Sequence, residues 1–161
     1  MRNVLIIGAG RSASSLIRYL LFKSYGENLH VTVADLSLHL AALKTQDHPN
    51  ATPIALNIFD AEERKKAIAN ASIVISMLPA HLHIEIAKDC LEFKKHLVTA
   101  SYISDAMQAL NEEAQKNNLI FMNEIGLDPG IDHMSAMKVI DEIRLKGGKM
   151  LLFESFCGGL V

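Results

Sequence analysis

Short apolar runs along the chain alternate with longer segments in which apolar residues recur at helical spacing. The apolar runs are rich in β-branched residues and are bounded by turn-forming residues, which is typical of buried strands. They predict strands at 3–7, 29–34, 52–56, 72–76, 96–100 and 119–123. The segments between them predict helices near 12–24, 37–45, 61–70, 81–93, 103–117 and 131–146. This alternation predicts an α/β fold, a doubly wound parallel sheet with helices on both faces.

A glycine-rich turn follows the first predicted strand. Gly8, Gly10 and Ala13 match the G-x-G-x-x-G/A pattern of dinucleotide-binding βαβ units. The first glycine permits a tight turn, the second lets the backbone approach a pyrophosphate, and the small Ala13 lets the helix pack closely. The helix that follows would present its positive dipole end to a phosphate. We therefore expect the turn, including Arg11 and Ser12, to bind a dinucleotide cofactor.

An acidic residue, Asp35, ends the second predicted strand and lies 22 residues after Ala13. Its carboxylate is placed to accept hydrogen bonds from the adenosine ribose, although it could instead cap the helix that follows. A 2′-phosphate at the same place would bring like charges together. The sequence therefore predicts NAD(H) in preference to NADP(H). NADP remains possible because Arg11 could hold a 2′-phosphate.

A polar loop with a distinctive sequence lies between the last predicted strand and the last predicted helix, within Asn123–Met134. Residues 128–130, Asp-Pro-Gly, form a turn because proline presets φ and glycine tolerates positive φ. Beyond it, Ile131, Met134 and Met137 recur every third residue, as one face of a helix should. Open α/β sheets bind ligands in loops at the carboxyl ends of their strands, so this loop is a candidate binding site.

The same loop, with G-L-D-P-G-I-D-H at 126–133, closely resembles the saccharopine dehydrogenase (saccharopine reductase) family. The resemblance covers nearly the whole chain. It implies a Rossmann-type dinucleotide-binding domain at 1–124 and, at 125–161, the start of a second, largely missing α+β substrate domain. The reaction implied is the L-glutamate-forming one of lysine metabolism. It is the NAD(P)-dependent interconversion of saccharopine with glutamate and 2-aminoadipate 6-semialdehyde.

The resemblance also implies roles for residues at the other strand ends. The additional cofactor contacts implied are Asn57, where relatives typically carry an aspartate, Ile58, Leu78, Thr99, Ala100, Gly126 and Leu127. The substrate contacts implied are Ser101, Tyr102, Asp128 and Cys157. A hydroxyl and a phenol can hydrogen-bond carboxylates, which supports Ser101 and Tyr102, although a capping serine and a packing tyrosine are the alternative.

Two of these residues are candidate catalytic groups. Asp128 and Tyr102 are the groups within the chain that could take the amine proton and activate water. A side chain from the missing domain is the alternative. Asp132 and His133 also suggest an acid–base pair, but their place at a helix start favours a structural role.

The end of the chain predicts a further element. The apolar run at 150–157 starts as a new strand with nothing to pair against. We therefore expect the chain to be the front of a longer protein, to be inactive alone, and to associate through this exposed apolar end as a homo-oligomer.

Composition narrows the classes of partner and location. The net charge is −2 with both signs interspersed, so no basic patch suggests nucleic acid, and no apolar run is long enough for a membrane span. His81 and His83 lack further nearby ligands, so we expect no metal and interpret them as polar residues at a helix start. Cys90 and Cys157 lie far apart, and the first predicted strand begins almost at the first residue, so we expect no signal peptide. A reduced, cytoplasmic setting and a small amino-acid substrate are expected.

Two other functions share parts of this pattern. A related imine-reducing enzyme, such as carboxynorspermidine synthase, would use the same cofactor turn. A non-enzymatic nucleotide-sensing Rossmann module would share Gly8, Gly10, Ala13 and Asp35 but would have no need for the loop at 124–133. That loop favours the enzyme that acts on saccharopine.

Overall fold

A single parallel sheet of six strands organises the chain in a computed structural model that describes residues 1–156 and 158. The strands are β1 Arg2–Ile7, β2 Leu29–Asp35, β3 Ala51–Ala55, β4 Ile73–Ser76, β5 His96–Thr99 and β6 Phe121–Met122. Their order across the sheet is β3-β2-β1-β4-β5-β6, with every neighbouring pair parallel. The predicted doubly wound fold is confirmed. The order reverses between β1 and β4, which is where such sheets bind ligands.

Seven α-helices surround the sheet in the part of the chain that the structure describes. They are α1 Ser14–Glu27, α2 Leu38–Thr45, α3 Ala61–Ala69, α4 His83–Glu92, α5 Asp105–Gln108, α6 Asn111–Lys116 and α7 Ile131–Leu145. The single helix predicted at 103–117 is wrong, because the chain turns between α5 and α6. Leu110, at this turn, packs against the core.

The core lies on both faces of the sheet. On one face Leu5 and Ile7 of β1 pack in a buried cluster that also contains Cys90 of α4. On the other face Val4 and Ile6 pack in a second cluster. Because both faces of β1 are covered, the strand is a continuous apolar run rather than an alternating one. Burial raises the pKa of the Cys90 thiol to about 12, so this cysteine is a packing residue and not a nucleophile.

The strand predicted at 150–157 does not form: residues 150–156 have no regular secondary structure, and residue 157 lies outside the described part. An apolar run becomes a strand only when a neighbour completes its hydrogen bonds, and no described strand pairs with this one. The helix expected at 131–146 is present as α7. Its apolar residues Ile131, Met134 and Met137 are exposed, as are Leu151 and Phe156.

Candidate functional site

The glycine turn after β1 combines a tight bend at Gly8 with open space at Gly10. Gly8 has a φ of +108°, and a Cβ on it would lie 3.0 Å from the carbonyl oxygen of Met77, so only glycine fits. At Gly10, by contrast, a Cβ would meet no atom within 4 Å. That open space is what a dinucleotide pyrophosphate would occupy. Ala13 is buried where the start of α1 meets the sheet.

Asp35 joins the glycine turn to the end of β2. Its Oδ2 accepts a 2.8 Å hydrogen bond from the backbone N–H of Ala9, and its Oδ1 accepts one of 3.0 Å from Ser37. The cap of α2 is Ser37, whose hydroxyl accepts from the N–H of Leu40, so the alternative that Asp35 caps this helix is wrong. Each carboxylate oxygen has a second lone pair, so the group can still accept from ribose hydroxyls.

A cleft of about 160 Å³ opens beside this turn, between the ends of β1, β2 and β3. It is lined by Ile7, Gly8, Asp35, Leu36, Leu56, Asn57, Ile58, Phe59 and Leu78. The structure thus brings together Gly8, Asp35, Asn57, Ile58 and Leu78, which were predicted as cofactor contacts from separate parts of the sequence. Apolar walls with a few polar groups suit a flat heterocycle such as adenine.

A buried ion pair that the sequence analysis did not single out supports one wall of this cleft. Arg64 of α3 donates from Nε to Oδ2 of Asp89 at 2.5 Å and from Nη1 to the carbonyl of Ile58 at 2.6 Å. The two charged residues are only 7% and 4% exposed. A signal existed, because Asp89 lies three residues after Ile86 and four before Phe93, on the apolar face of its helix.

We call the region along the carboxyl ends of the six strands the crevice, with the cleft at its β2–β3 end. At its β5–β6 end, the loops after these two strands are joined by hydrogen bonds. The N–H of Glu124 donates to the carbonyl of Ser101 at 3.1 Å, and Glu124 Oε1 accepts from the N–H of Ile103 at 3.0 Å. The phenol of Tyr102 donates to Asp128 Oδ1 at 2.6 Å. The two candidate catalytic residues are therefore in direct contact, beside Ser101.

The remaining predicted contacts lie in the same loops. The hydroxyl of Thr99, the last residue of β5, donates to Asn123 at 3.0 Å. A Cβ on Gly126 would lie 3.0 Å from the carbonyl oxygen of Ala100, so glycine lets this loop pass against the end of β5. Leu127 is exposed. Cys157 lies outside the described residues.

His83, interpreted from the sequence as a polar residue at a helix start, is buried between two strand ends. Its Nδ1 lies 2.8 Å from the hydroxyl of Ser76, and its Nε2 lies 2.9 Å from the hydroxyl of Ser101. Burial lowers the pKa of His83, and the neighbouring His81 lowers it further, which favours a neutral ring. Its position three residues before Ile86 was the signal that it faces inwards.

Asp132 and His133 form a contact at the start of α7. Asp132 Oδ1 accepts from the N–H of Gly130 at 2.9 Å and lies 2.8 Å from Nδ1 of His133. The hydrogen bond to Asp132 raises the pKa of His133. Asp132 thus satisfies a backbone donor where the helix begins.

Two kinds of feature are absent from the part of the chain that the structure describes. Residues 1–156 and 158 contain no cluster of three or more histidine, cysteine, aspartate or glutamate side chains able to hold a metal ion. Among the helices that the structure describes, none is both long enough and apolar enough to cross a bilayer.

The family model for the saccharopine dehydrogenase NADP-binding domain matches residues 4–122, from β1 to β6. The chain belongs to the saccharopine dehydrogenase family. The model for the C-terminal domain of the same family matches residues 126–161. The resemblance noted in the sequence is therefore confirmed.

Curated relatives carry related names. The saccharopine dehydrogenase [NADP(+), L-glutamate-forming] of Saccharomyces cerevisiae is 39% identical over 159 residues, covering 99% of this chain and 35% of the relative. The alpha-aminoadipic semialdehyde synthase of Arabidopsis thaliana is 38% identical over 175 residues, covering 98% of this chain and 16% of the relative. The chain thus spans about a third of the fungal relative and about a sixth of the plant one.

Solved structures agree on the fold. Apo saccharopine dehydrogenase (L-Glu forming) from Saccharomyces cerevisiae matches with a TM-score of 0.78 and 37% identity, covering 91% of this chain and 32% of that one. A biliverdin reductase from Synechocystis, solved with biliverdin and NADP+, matches with a TM-score of 0.61. At 18% identity over 89% of this chain and 42% of that one, the second match concerns the fold alone.

Proposed function

We propose that the chain supplies the dinucleotide-binding part and one wall of the substrate site of an L-glutamate-forming saccharopine dehydrogenase. The observation that carries the proposal is the division of the crevice. The glycine turn and Asp35 line its cofactor end, and Ser101, Tyr102 and Asp128 meet at its other end, beyond the switch between β1 and β4. The names of the fungal and plant relatives support the same reaction.

The bound dinucleotide would exchange a hydride with the carbon that bears the secondary amine of saccharopine. The residues of the chain would bind and orient the substrate around that carbon. Ser101 is placed to donate a hydrogen bond to a substrate carboxylate. Asp128, which accepts the phenolic proton of Tyr102, is placed to receive a proton from the amine through that phenol.

For the cofactor, we propose that the crevice accepts NADP(H) as well as NAD(H), with the ratio set by Asp35 and Arg11. The name of the matching family model and those of the fungal relatives support NADP(H). They give no support to the expectation that NAD is the primary cofactor. The negative carboxylate of Asp35 would repel the 2′-phosphate of NADP(H), and the exposed, positive guanidinium of Arg11 would attract it.

Titration of the chain with NADPH and NADH, followed by nicotinamide fluorescence, tests the cofactor proposal. Saturable binding of both is expected, whereas a folded chain that binds neither would overturn it. Catalysis is tested in a hybrid in which residues 1–161 replace the matching segment of the yeast saccharopine dehydrogenase. The hybrid should reduce the nicotinamide cofactor only when saccharopine is present. A hybrid that binds the dinucleotide but oxidises no saccharopine would contradict the proposed reaction.

A further inference from the structure

We propose that His83 is a positioning residue that directs the hydroxyl proton of Ser101 into the crevice, where it donates to a carboxylate of the substrate. The inference rests on the proposed function, because that function supplies the carboxylate. It assigns a role to a buried histidine that does not itself reach the crevice and that links the end of β4 to the loop after β5.

The linkage is a row of three side chains. The hydroxyl of Ser76, the last residue of β4, lies 2.8 Å from His83 Nδ1, and His83 Nε2 lies 2.9 Å from the hydroxyl of Ser101. Ser76 and His83 are 0% and 3% exposed, whereas Ser101 is partly exposed beside Tyr102. The row therefore begins in the core and ends at the proposed substrate site.

The direction of the hydrogen bonds follows from what Ser76 can do. A neutral imidazole has one nitrogen that donates and one that accepts. If Nδ1 carried the proton, Ser76 would accept it, and its own buried proton would need another acceptor. Among residues 1–156 and 158, the structure gives the Ser76 hydroxyl no partner besides His83. Leaving a buried donor unsatisfied is costly, so Ser76 must donate to Nδ1.

The hydrogen bond at Nδ1 also determines which partner donates between His83 and Ser101. With Nδ1 accepting, the proton of the neutral ring lies on Nε2, which donates to the oxygen of Ser101. The Ser101 proton is then not used by His83 and can point towards a ligand. A carboxylate only accepts hydrogen bonds, so it needs a donor at this position. In the opposite tautomer the Ser101 hydroxyl would donate to Nε2. Only its lone pairs would then face the carboxylate, which cannot donate to them.

Nitrogen-15 NMR of the histidine-labelled chain at neutral pH tests the direction of the row. Long-range correlations between the carbon-bound ring protons and the two ring nitrogens give the nitrogen chemical shifts. These shifts distinguish the two neutral tautomers from each other and from the cation. We expect His83 as the neutral ring protonated on Nε2, with or without ligand. A ring protonated on Nδ1, or a doubly protonated ring, would overturn the inference even if saccharopine binds.

Variants then test whether this direction affects the ligand. In the hybrid with the yeast enzyme, saturated with NADPH, Ser76→Ala removes the donor to Nδ1 without touching the crevice, and should weaken saccharopine binding about tenfold with an unchanged Kd for NADPH. His83→Gln keeps an N–H for Ser101 and should retain more saccharopine affinity than His83→Met. Equal affinities in the folded Gln and Met variants, or an unchanged one in Ser76→Ala, would overturn the inference. Failure of the unaltered hybrid with NADPH to bind saccharopine would instead count against the proposed function.

Discussion

The phenol of Tyr102 donates a 2.6 Å hydrogen bond to Oδ1 of Asp128, although the two residues follow different strands. Tyr102 follows β5 and Asp128 follows β6, which form a parallel pair. Because parallel strands end at the same edge of a sheet, residues far apart in sequence meet there. This contact makes the two candidate catalytic residues one unit, so changing either should affect both.

We expect Tyr102→Phe to weaken saccharopine binding in the NADPH-bound hybrid with the yeast enzyme roughly 10- to 100-fold, because hydrogen bonds to charged groups contribute about 1.5–3 kcal/mol. The Kd for NADPH should not change. Calorimetric titration measures both constants. The matched control is Tyr19→Phe, since Tyr19 is also exposed but lies on α1. Equal saccharopine affinity in the two variants would contradict the role given to Tyr102.

Gly10→Val should abolish dinucleotide binding and leave the fold intact, because the new side chain would fill the open space above the turn. Fluorescence titration with NADPH and NADH measures the loss, and circular dichroism checks the fold. Gly26→Val is the control, since a Cβ at Gly26 in α1 also meets nothing within 4 Å. An unchanged cofactor affinity in Gly10→Val would remove the proposed pyrophosphate site.

Asp35→Asn should shift the cofactor ratio towards NADPH by about tenfold, or ~1.4 kcal/mol. The substitution removes the negative charge that would face a 2′-phosphate, while the amide oxygen can still accept from the N–H of Ala9. Arg11→Ala should shift the ratio in the opposite direction. The measurement is the ratio of the Kd values for NADPH and NADH at matched salt. A ratio that neither variant changes would mean that these two residues do not discriminate between the cofactors.

Arg64→Ala should lower the free energy of unfolding by about 3–5 kcal/mol, because it leaves the buried carboxylate of Asp89 without its partner. Urea denaturation measures the change. The control is Lys65→Ala on the same helix, whose ion pair with Glu92 at 2.7 Å is exposed to water and should contribute little. A similar, small effect in both variants would show that the Arg64 pair is not needed to hold the cleft wall.

Lowering the pH should remove stability that the neutral His83 provides. Burial and His81 lower the pKa of His83 in the folded chain below its ordinary value of 6.5, so the unfolded chain binds the proton more readily. The stabilisation is fully present above that value and is lost as the pH falls through the folded pKa. Urea denaturation at pH 7 and pH 5 should show a smaller difference between the unaltered chain and His83→Gln at the lower pH. A constant difference would contradict a neutral, buried ring.

Much of the fold could be predicted because the strands of a parallel sheet covered on both faces are continuous apolar runs, which are easily recognised in the sequence. The run that forms β1 is apolar at every buried position, and the glycine turn follows it directly. The error at 150–157 has a physical cause, since strand formation depends on a neighbour that local sequence does not specify. The break between α5 and α6 is similarly set by how Leu110 reaches the core.

The parts of the site that sequence could not provide are those made by long-range pairs. Arg64 and Asp89 meet across two helices, and His83 meets Ser101 across two strand ends. Arg64, Asp89 and His83 lie on helices whose periodic pattern indicates that a side chain faces inwards but not which residue it contacts. The individual candidates Ser101 and Asp128 came from the family resemblance of the loops that follow β5 and β6.

The hydrogen bonds between Glu124 and the Ser101–Ile103 segment connect the loops after β5 and β6 into one structural unit. Grafting the loop after β6 alone into a related enzyme would leave the carboxylate of Glu124 facing a foreign backbone. The segments 100–103 and 123–130 therefore have to be transplanted together if the substrate preference is to be carried over. The cleft beside β2 and β3 belongs to other loops and can stay with its host. In protein engineering, the crevice can therefore be exchanged as two units, the paired segments 100–103 and 123–130 and the loops of the cleft.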